Sequence, residues 1–115
     1  MPRNYLLFSK VDSISKKVYK QSLKFPQIHQ YSIGDQMRRS SLSVVLNIVE
    51  GGARKSVKEK LHFKNIAFGS LKETKYLVFF AKEIDLIIKK DFDEILSEIN
   101  ELAAILYTLI YKNKE

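Results

Sequence analysis

The sequence predicts an all-α protein, an antiparallel up-down-up-down four-helix bundle, and three observations lead there. Apolar residues recur three and four apart through most of the chain, the spacing of one helix face. Only four glycines and two prolines interrupt it, at places where helices would end. Two runs of the form Ser/Asp-x-x-Glu, Ser56 to Glu59 and Asp91 to Glu94, stand where helices would begin. At 115 residues, 45% hydrophobic and 29% charged, the chain suits a single domain, residues 1–115, around one core.

The first helix is expected over about Leu7 to Lys24, with Val11, Ile14, Val18 and Phe25 as its apolar stripe and Pro26 as its stop. A loop from Pro26 to Gly34 then delivers Asp35 as the N-cap of a second helix, which Gly51-Gly52 ends after Glu50. The third starts at the capping box Ser56-Val57-Lys58-Glu59. Its predicted seam is Phe63, Ala67, Ser70, Thr74, Leu77, Ala81, Ile84 and Ile88. Asp91 opens a fourth helix, which Phe92, Ile95, Ile99, Leu102, Leu106 and Leu109 carry to about Tyr111. Short connections imply antiparallel neighbours.

Two of these helices hold more apolar surface than one seam requires. On the second, Leu42, Val44, Val45, Leu46, Ile48 and Val49 are almost continuous, and on the third Tyr76, Val78, Phe79 and Phe80 lie outside the predicted seam. A helix that is apolar on most sides must be covered on most sides, either by a central place in the bundle or by a second subunit. The expectation is a homo-oligomer that buries some of Leu42, Leu46, Val49, Tyr76 and Phe79.

The net charge is +7 and the pI about 9.6, which suits a polyanionic partner. The charge is unevenly placed: +5 over residues 1–33, +4 over 34–64, +2 over 65–90 and −4 over 91–115. A basic front and an acidic tail can pair within one bundle or between subunits. Arg54, Lys55, Lys58, Lys60 and Lys64 crowd one corner with only Glu50 and Glu59 to oppose them, and so form the candidate phosphate contact. Lys16, Lys17, Lys20 and Lys24 form a second basic stripe that a solvated helix face explains equally well.

The inventory for catalysis is thin, and a non-enzymatic protein without cofactor or metal is expected. His29 and His62 have no partner at metal-binding helical spacing, no phosphate loop surrounds Gly51-Gly52, and no serine stands in a nucleophile elbow. HEPN-type ribonucleases place an Arg and a His five or six positions apart on one helix. Here Arg54 and His62 are eight apart with a helix start between them. The chain has no cysteine, no apolar run near the ~20 residues of a membrane span, and no signal-peptide pattern in residues 1–10, so a cytoplasmic location without membrane attachment is expected.

From Gln36 to Ala81 the order of motifs becomes specific. Gln36-Met37-Arg38-Arg39 leads to Ser43-Val44-Val45-Leu46-Asn47-Ile48-Val49-Glu50-Gly51, followed by Arg54-Lys55-Ser56-Val57-Lys58-Glu59 and Gly69-Ser70-Leu71-Lys72-Glu73. With Val18-Tyr19 and Phe25-Pro26 before it, this series resembles the four helix bundle protein family. That family includes the proteins encoded in intervening sequences of bacterial large-subunit ribosomal RNA genes and the accessory variability determinant of diversity-generating retroelements. Val45 and Leu46 stand where the family often has Pro-Ser, and Thr74-Lys75 where Leu-Glu is common. The resemblance implies a homo-oligomer, with a pentameric ring as the expected form. For the retroelement members it implies a reverse-transcriptase partner and contact with RNA or DNA.

Two residue sets follow. Asn47, Glu50, Gly51, Ser56, Glu59, Gly69 and Ser70 form the structural motif. Asn47 and Glu50 share one face near the end of the second helix, where a carboxylate opposes the helix dipole and calls for a cation such as Arg54, Arg38 or Arg39. Arg38, Arg39, Arg54, Lys55, Lys58 and Lys64 are the candidate nucleic-acid contacts.

Overall fold

The computed structural model describes residues 4–112. Helices α1 (Asn4–Leu23), α3 (Ile33–Ala53), α4 (Val57–Glu83) and α5 (Lys89–Tyr107) form the predicted bundle. A single turn, α2 (Gln27–Gln30), bridges α1 and α3, and a π-helical turn, Thr108–Lys112, continues α5. Each long helix packs on its neighbour in sequence and α1 closes the ring against α5, with the most extensive packing between α3 and α4. The long axis of 46 Å matches the 27 residues of α4, which at ~1.5 Å per residue span most of it.

The core follows the helical spacing. Val11, Ile14 and Val18 of α1, Met37 and Val44 of α3, and Ile95, Ile99, Leu102 and Leu106 of α5 are buried. On α4 the register differs from the prediction. Ala67, Leu71, Thr74, Val78 and Ala81 are the buried set, while Ser70 and Leu77 lie at its edge and Ile84 and Ile88 are exposed. The two readings share Ala67, Thr74 and Ala81, and alternating steps of four and three fit either one. Leu71 buries more apolar volume than Ser70 would, and Val78 lies seven residues on along the same face, so Leu77 turns to the edge with Ser70. In the fourth helix burial passes from the predicted Leu109 to Ile110, because the wider π turn adds a residue before the same face returns.

Helix ends depart from the sequence reading in four places. Lys24 and Phe25 lie beyond the end of α1, and the expected loop contains α2. Helix α3 begins at Ile33, so Asp35 lies in its first turn and pairs with Arg39 at 2.9 Å instead of capping. Gly51 and Gly52 are helical with ordinary negative φ, and α3 runs on to Ala53. Helix α5 starts at Lys89 without a side-chain cap, and Asp91 accepts a bond from Gln21 Nε2 at 3.0 Å, tying α5 to α1. Ser56 does cap α4: its Oγ accepts the Glu59 amide at 3.0 Å.

Candidate nucleic-acid interface

The α3–α4 seam explains why the cationic corner is where it is. A ladder of small polar side chains runs along it. Thr74 Oγ1 lies 2.8 Å from Ser40 Oγ, Ser43 Oγ lies 2.8 Å from Ser70 Oγ, and Asn47 Nδ2 donates to Ser43 O at 2.8 Å and to Ser43 Oγ at 3.1 Å. Small residues bring the helices close, and Gly51 is the limit of that approach: a Cβ there would meet Phe63 Cβ at 3.0 Å. The glycine required at this point is thus a packing requirement, not a helix stop. A methyl at Gly52 or Gly69 would meet nothing within 4 Å.

Close approach at Gly51 turns the chain sharply through Arg54, Lys55 and Ser56 into α4. Arg54 Nη2 pairs with Glu50 Oε2 at 2.5 Å, and its guanidinium carbon sits 5.2 Å from the Phe63 ring centroid. The pair supplies the cation that a carboxylate at a helix C-terminus calls for. It is not bidentate through Nε, which is buried without a partner among the described residues. Asn47 bonds back to Ser43 and not to Glu50, so the two halves of the expected clamp act separately.

Beside this turn Lys55 and Lys58 are exposed, Lys60 Nζ reaches Gly52 O at 3.5 Å, and Lys64 stands half-buried at a pocket of about 170 Å³. Burial, and then the nearby charge of Lys60, hold the Lys64 ammonium below its ordinary pKa of 10.5. A desolvated cation without a carboxylate gains from any anion that arrives.

The six proposed contact residues are not one cluster. Arg54, Lys55, Lys58 and Lys64 gather at the α3–α4 turn. Arg38 and Arg39 lie four turns earlier on α3, at the other end of the bundle. Arg38 is held there by Ser22 Oγ at 3.0 Å, Gln30 Oε1 at 3.1 Å and Gln30 O at 2.7 Å, a network that locks the α1–α2–α3 corner. Arg39 is exposed and paired to Asp35. His62 is exposed and stacks edge-on to Phe63, and no group of metal-ligating side chains occurs among the described residues.

The α1 lysines divide between two fates. Lys10 pairs with Glu101 at 2.7 Å, while Lys17 bonds both Glu98 and Glu94 on α5, which raises its pKa above 10.5. Lys16 pairs with Asp12 of its own helix, and Lys20 and Lys24 form no ion pair among the described residues, so the basic front and the acidic tail neutralise each other only in part within one chain. The corner at Arg54 to Lys64 keeps its excess. What the sequence reading missed is the pocket beside it, because Leu7 and Phe8 reach Asn47, Ile48 and Lys64 only through the antiparallel packing of α1.

Fold and site together define an antiparallel four-helix bundle with a hydroxyl-lined α3–α4 seam and one cation-rich end. Residues 3–108 match the model of the 23S rRNA-intervening sequence protein family, and the chain belongs to that family. It is also similar, at 20% identity and a TM-score of 0.83, to a protein of unknown function from the S23 ribosomal protein family of Bacteroides thetaiotaomicron, known from a crystal structure at 1.70 Å. That similarity covers 92% of this chain and 99% of the other. No curated protein matches the chain. No helix among the described residues is long and apolar enough to cross a membrane.

Proposed function

We propose that this protein is a non-enzymatic accessory factor that assembles with copies of itself and binds nucleic acid through the basic α3–α4 end. The observation that carries the reading is the separation of charge. Lys10 and Lys17 are neutralised by α5, whereas Lys55, Lys58 and Lys64 meet no carboxylate in any ion pair among the described residues. Lysines grouped in this way contact phosphate without reading sequence. The family's description refers to an intervening sequence of 23S rRNA, which makes RNA the first ligand to test.

Assembly supports the same reading by multiplying a weak site. Leu42 and Leu46 are 43% and 62% exposed on the outer side of α3, and Tyr76 and Phe79 are 60% and 48% exposed on the outer side of α4. Between the two patches lies a polar groove lined by Asp35, Gln36, Arg39, Ser43, Ser70 and Glu73. Two unlike apolar patches flanking the groove favour head-to-tail contact, which gives a ring where the rotation between subunits closes.

Fluorescence anisotropy against salt tests the proposal. Affinity is expected to fall with a log-log slope near −0.7 per neutralised phosphate on single strands, or about −0.9 on duplex DNA. Replacing Arg54, Lys55 and Lys58 with alanine lowers both affinity and slope and leaves the oligomer intact. If the wild type fails to bind at about 50 mM salt, or the triple variant binds identically, the exposed apolar patches favour a protein-interaction scaffold instead.

A further inference from the structure

The basic end carries more than cations. Helix α1 begins here and α5 ends here, so the exposed rings of Tyr5, Phe8, Tyr107 and Tyr111 share it with Lys55, Lys58, Lys60 and Lys64. Tyr107 and Tyr111 pair at 4.8 Å between centroids, and Tyr107 lies 6.4 Å from Phe68 of α4, which places them against the same helix as the lysines. Cations alone attract any polyanion. Cations interleaved with exposed aromatic faces favour a strand whose bases are unpaired and free to stack.

The pocket gives that preference a definite place. Its volume of about 170 Å³ is close to the ~150 Å³ of a cavity that accepts one benzene-sized ring. Leu7, Phe8, Ile48 and Val49 make its walls apolar, Phe8 as a residue is 38% exposed, and Lys64 lines the same pocket. Asn47 also lines it. Its Nδ2 is held by Ser43, which leaves the carbonyl oxygen as an acceptor for a base N–H.

We propose that this pocket seats one unpaired nucleobase of single-stranded RNA or DNA, with Phe8 as the stacking face, Asn47 as a polar contact and Lys64 on the adjacent phosphate. The inference deepens the nucleic-acid reading and rests on it. An anion at Lys64 also relieves the desolvation of an ammonium that burial and Lys60 disfavour. Stacking of this kind is tolerant of sequence, since every base offers a π face.

Gly52 supplies a test that removes no charge. It lines the pocket, is helical, and has open space where a Cβ would be, so a larger side chain fits there without displacing the fold and is proposed to narrow the pocket. The probes are a dye-labelled single-stranded oligouridylate and an abasic strand of equal length and charge, titrated into the full chain by anisotropy. The wild type is expected to bind the base-bearing strand about five-fold or more tightly than the abasic one. Gly52→Leu reduces that difference, keeps the salt slope, and retains the helical spectrum with a melting temperature no lower than that of the wild type. Equal binding of both strands by the wild type, or a full difference retained in Gly52→Leu, overturns the base seat and leaves the electrostatic reading standing. Binding of neither strand overturns both. The chain has no tryptophan, so Phe8→Trp adds a second readout: quenching of the new indole by oligouridylate and not by the abasic strand. Equal quenching by both would count against stacking.

Discussion

Lys64 is held in a place that stability alone would not choose. Its pKa is lowered in the fold, so the unfolded chain binds its proton more readily than the native one. The cost of the buried charge is present below the folded pKa and fades as pH rises from there towards 10.5. Lys64→Met is therefore expected to raise the melting temperature at neutral pH. The gain is below about 1 kcal/mol, because the side chain is only partly buried and solvent screens it. The same substitution weakens nucleic-acid binding. Thermal denaturation and anisotropy on one preparation test the pair, and a variant that is less stable would show that Lys64 serves the fold. Gly51 and Gly52 make a second contrast between neighbours. Gly51→Ala forces its methyl to 3.0 Å from Phe63 Cβ, where backbone-linked atoms yield little, and overpacking of that kind costs about 1–3 kcal/mol. Gly52→Ala meets open space and stabilises by about 0.5–1 kcal/mol through the lower entropy of the unfolded chain. Equal melting temperatures for the two alanine variants would contradict this account of the close approach.

Among the elements, α4 has the clearest beginning. Ser56 Oγ accepts the Glu59 amide, and Ser56→Ala is expected to destabilise by about 0.5–2 kcal/mol in urea denaturation, whereas Ser56→Asp retains most of the cap. A loss as large in the aspartate variant would assign the effect to something other than capping. Ser56-x-x-Glu59 was legible in the sequence because a cap is a local interaction, complete within four residues. The stripes of α1 and α5 were legible for a similar reason: Val11, Ile14 and Val18, or Ile95, Ile99 and Leu102, leave only one apolar face to bury. Helix α4 offered two faces, and only the neighbouring helices decide between Ser70 and Leu71 or Leu77 and Val78. Gly51-Gly52 misled because glycine marks a helix end and a close helix contact equally well, and the contact with Phe63 comes from another helix. At the candidate site the cations near Arg54 could be read as a cluster. The commitment of Arg38 to Ser22 and Gln30 could not, since it depends on α2, a turn that the Pro26–Gly34 segment does not announce. Nor could the pocket, whose walls come from α1, α3 and α4 together.

For the whole molecule, the distribution of charge and of apolar surface leads to the proposed ring. Lysines of α1 and carboxylates of α5 close the bundle on one side, so that interface is already satisfied within a chain. Leu42 and Leu46 on α3, and Tyr76 and Phe79 on α4, remain outside, on two faces separated by the polar groove at Ser43 and Ser70. If one face of a subunit meets the other face of the next, every subunit needs both. Leu46→Glu and Tyr76→Glu should then each give a monomer alone, because each destroys one side of every contact. A mixture of the two variants should form a heterodimer and stop, since the intact α4 face of Leu46→Glu meets the intact α3 face of Tyr76→Glu and the damaged faces cannot extend it. Self-paired patches behave differently: each variant alone would still dimerise through its undamaged patch, and mixing would change nothing. Sedimentation velocity at micromolar concentration separates these outcomes, with circular dichroism confirming that the exposed substitutions leave the helices intact. A wild-type protein that sediments as a monomer under those conditions would remove the assembly altogether, and with it the multiplication of weak phosphate contacts on which tight binding by a single lysine-rich corner depends.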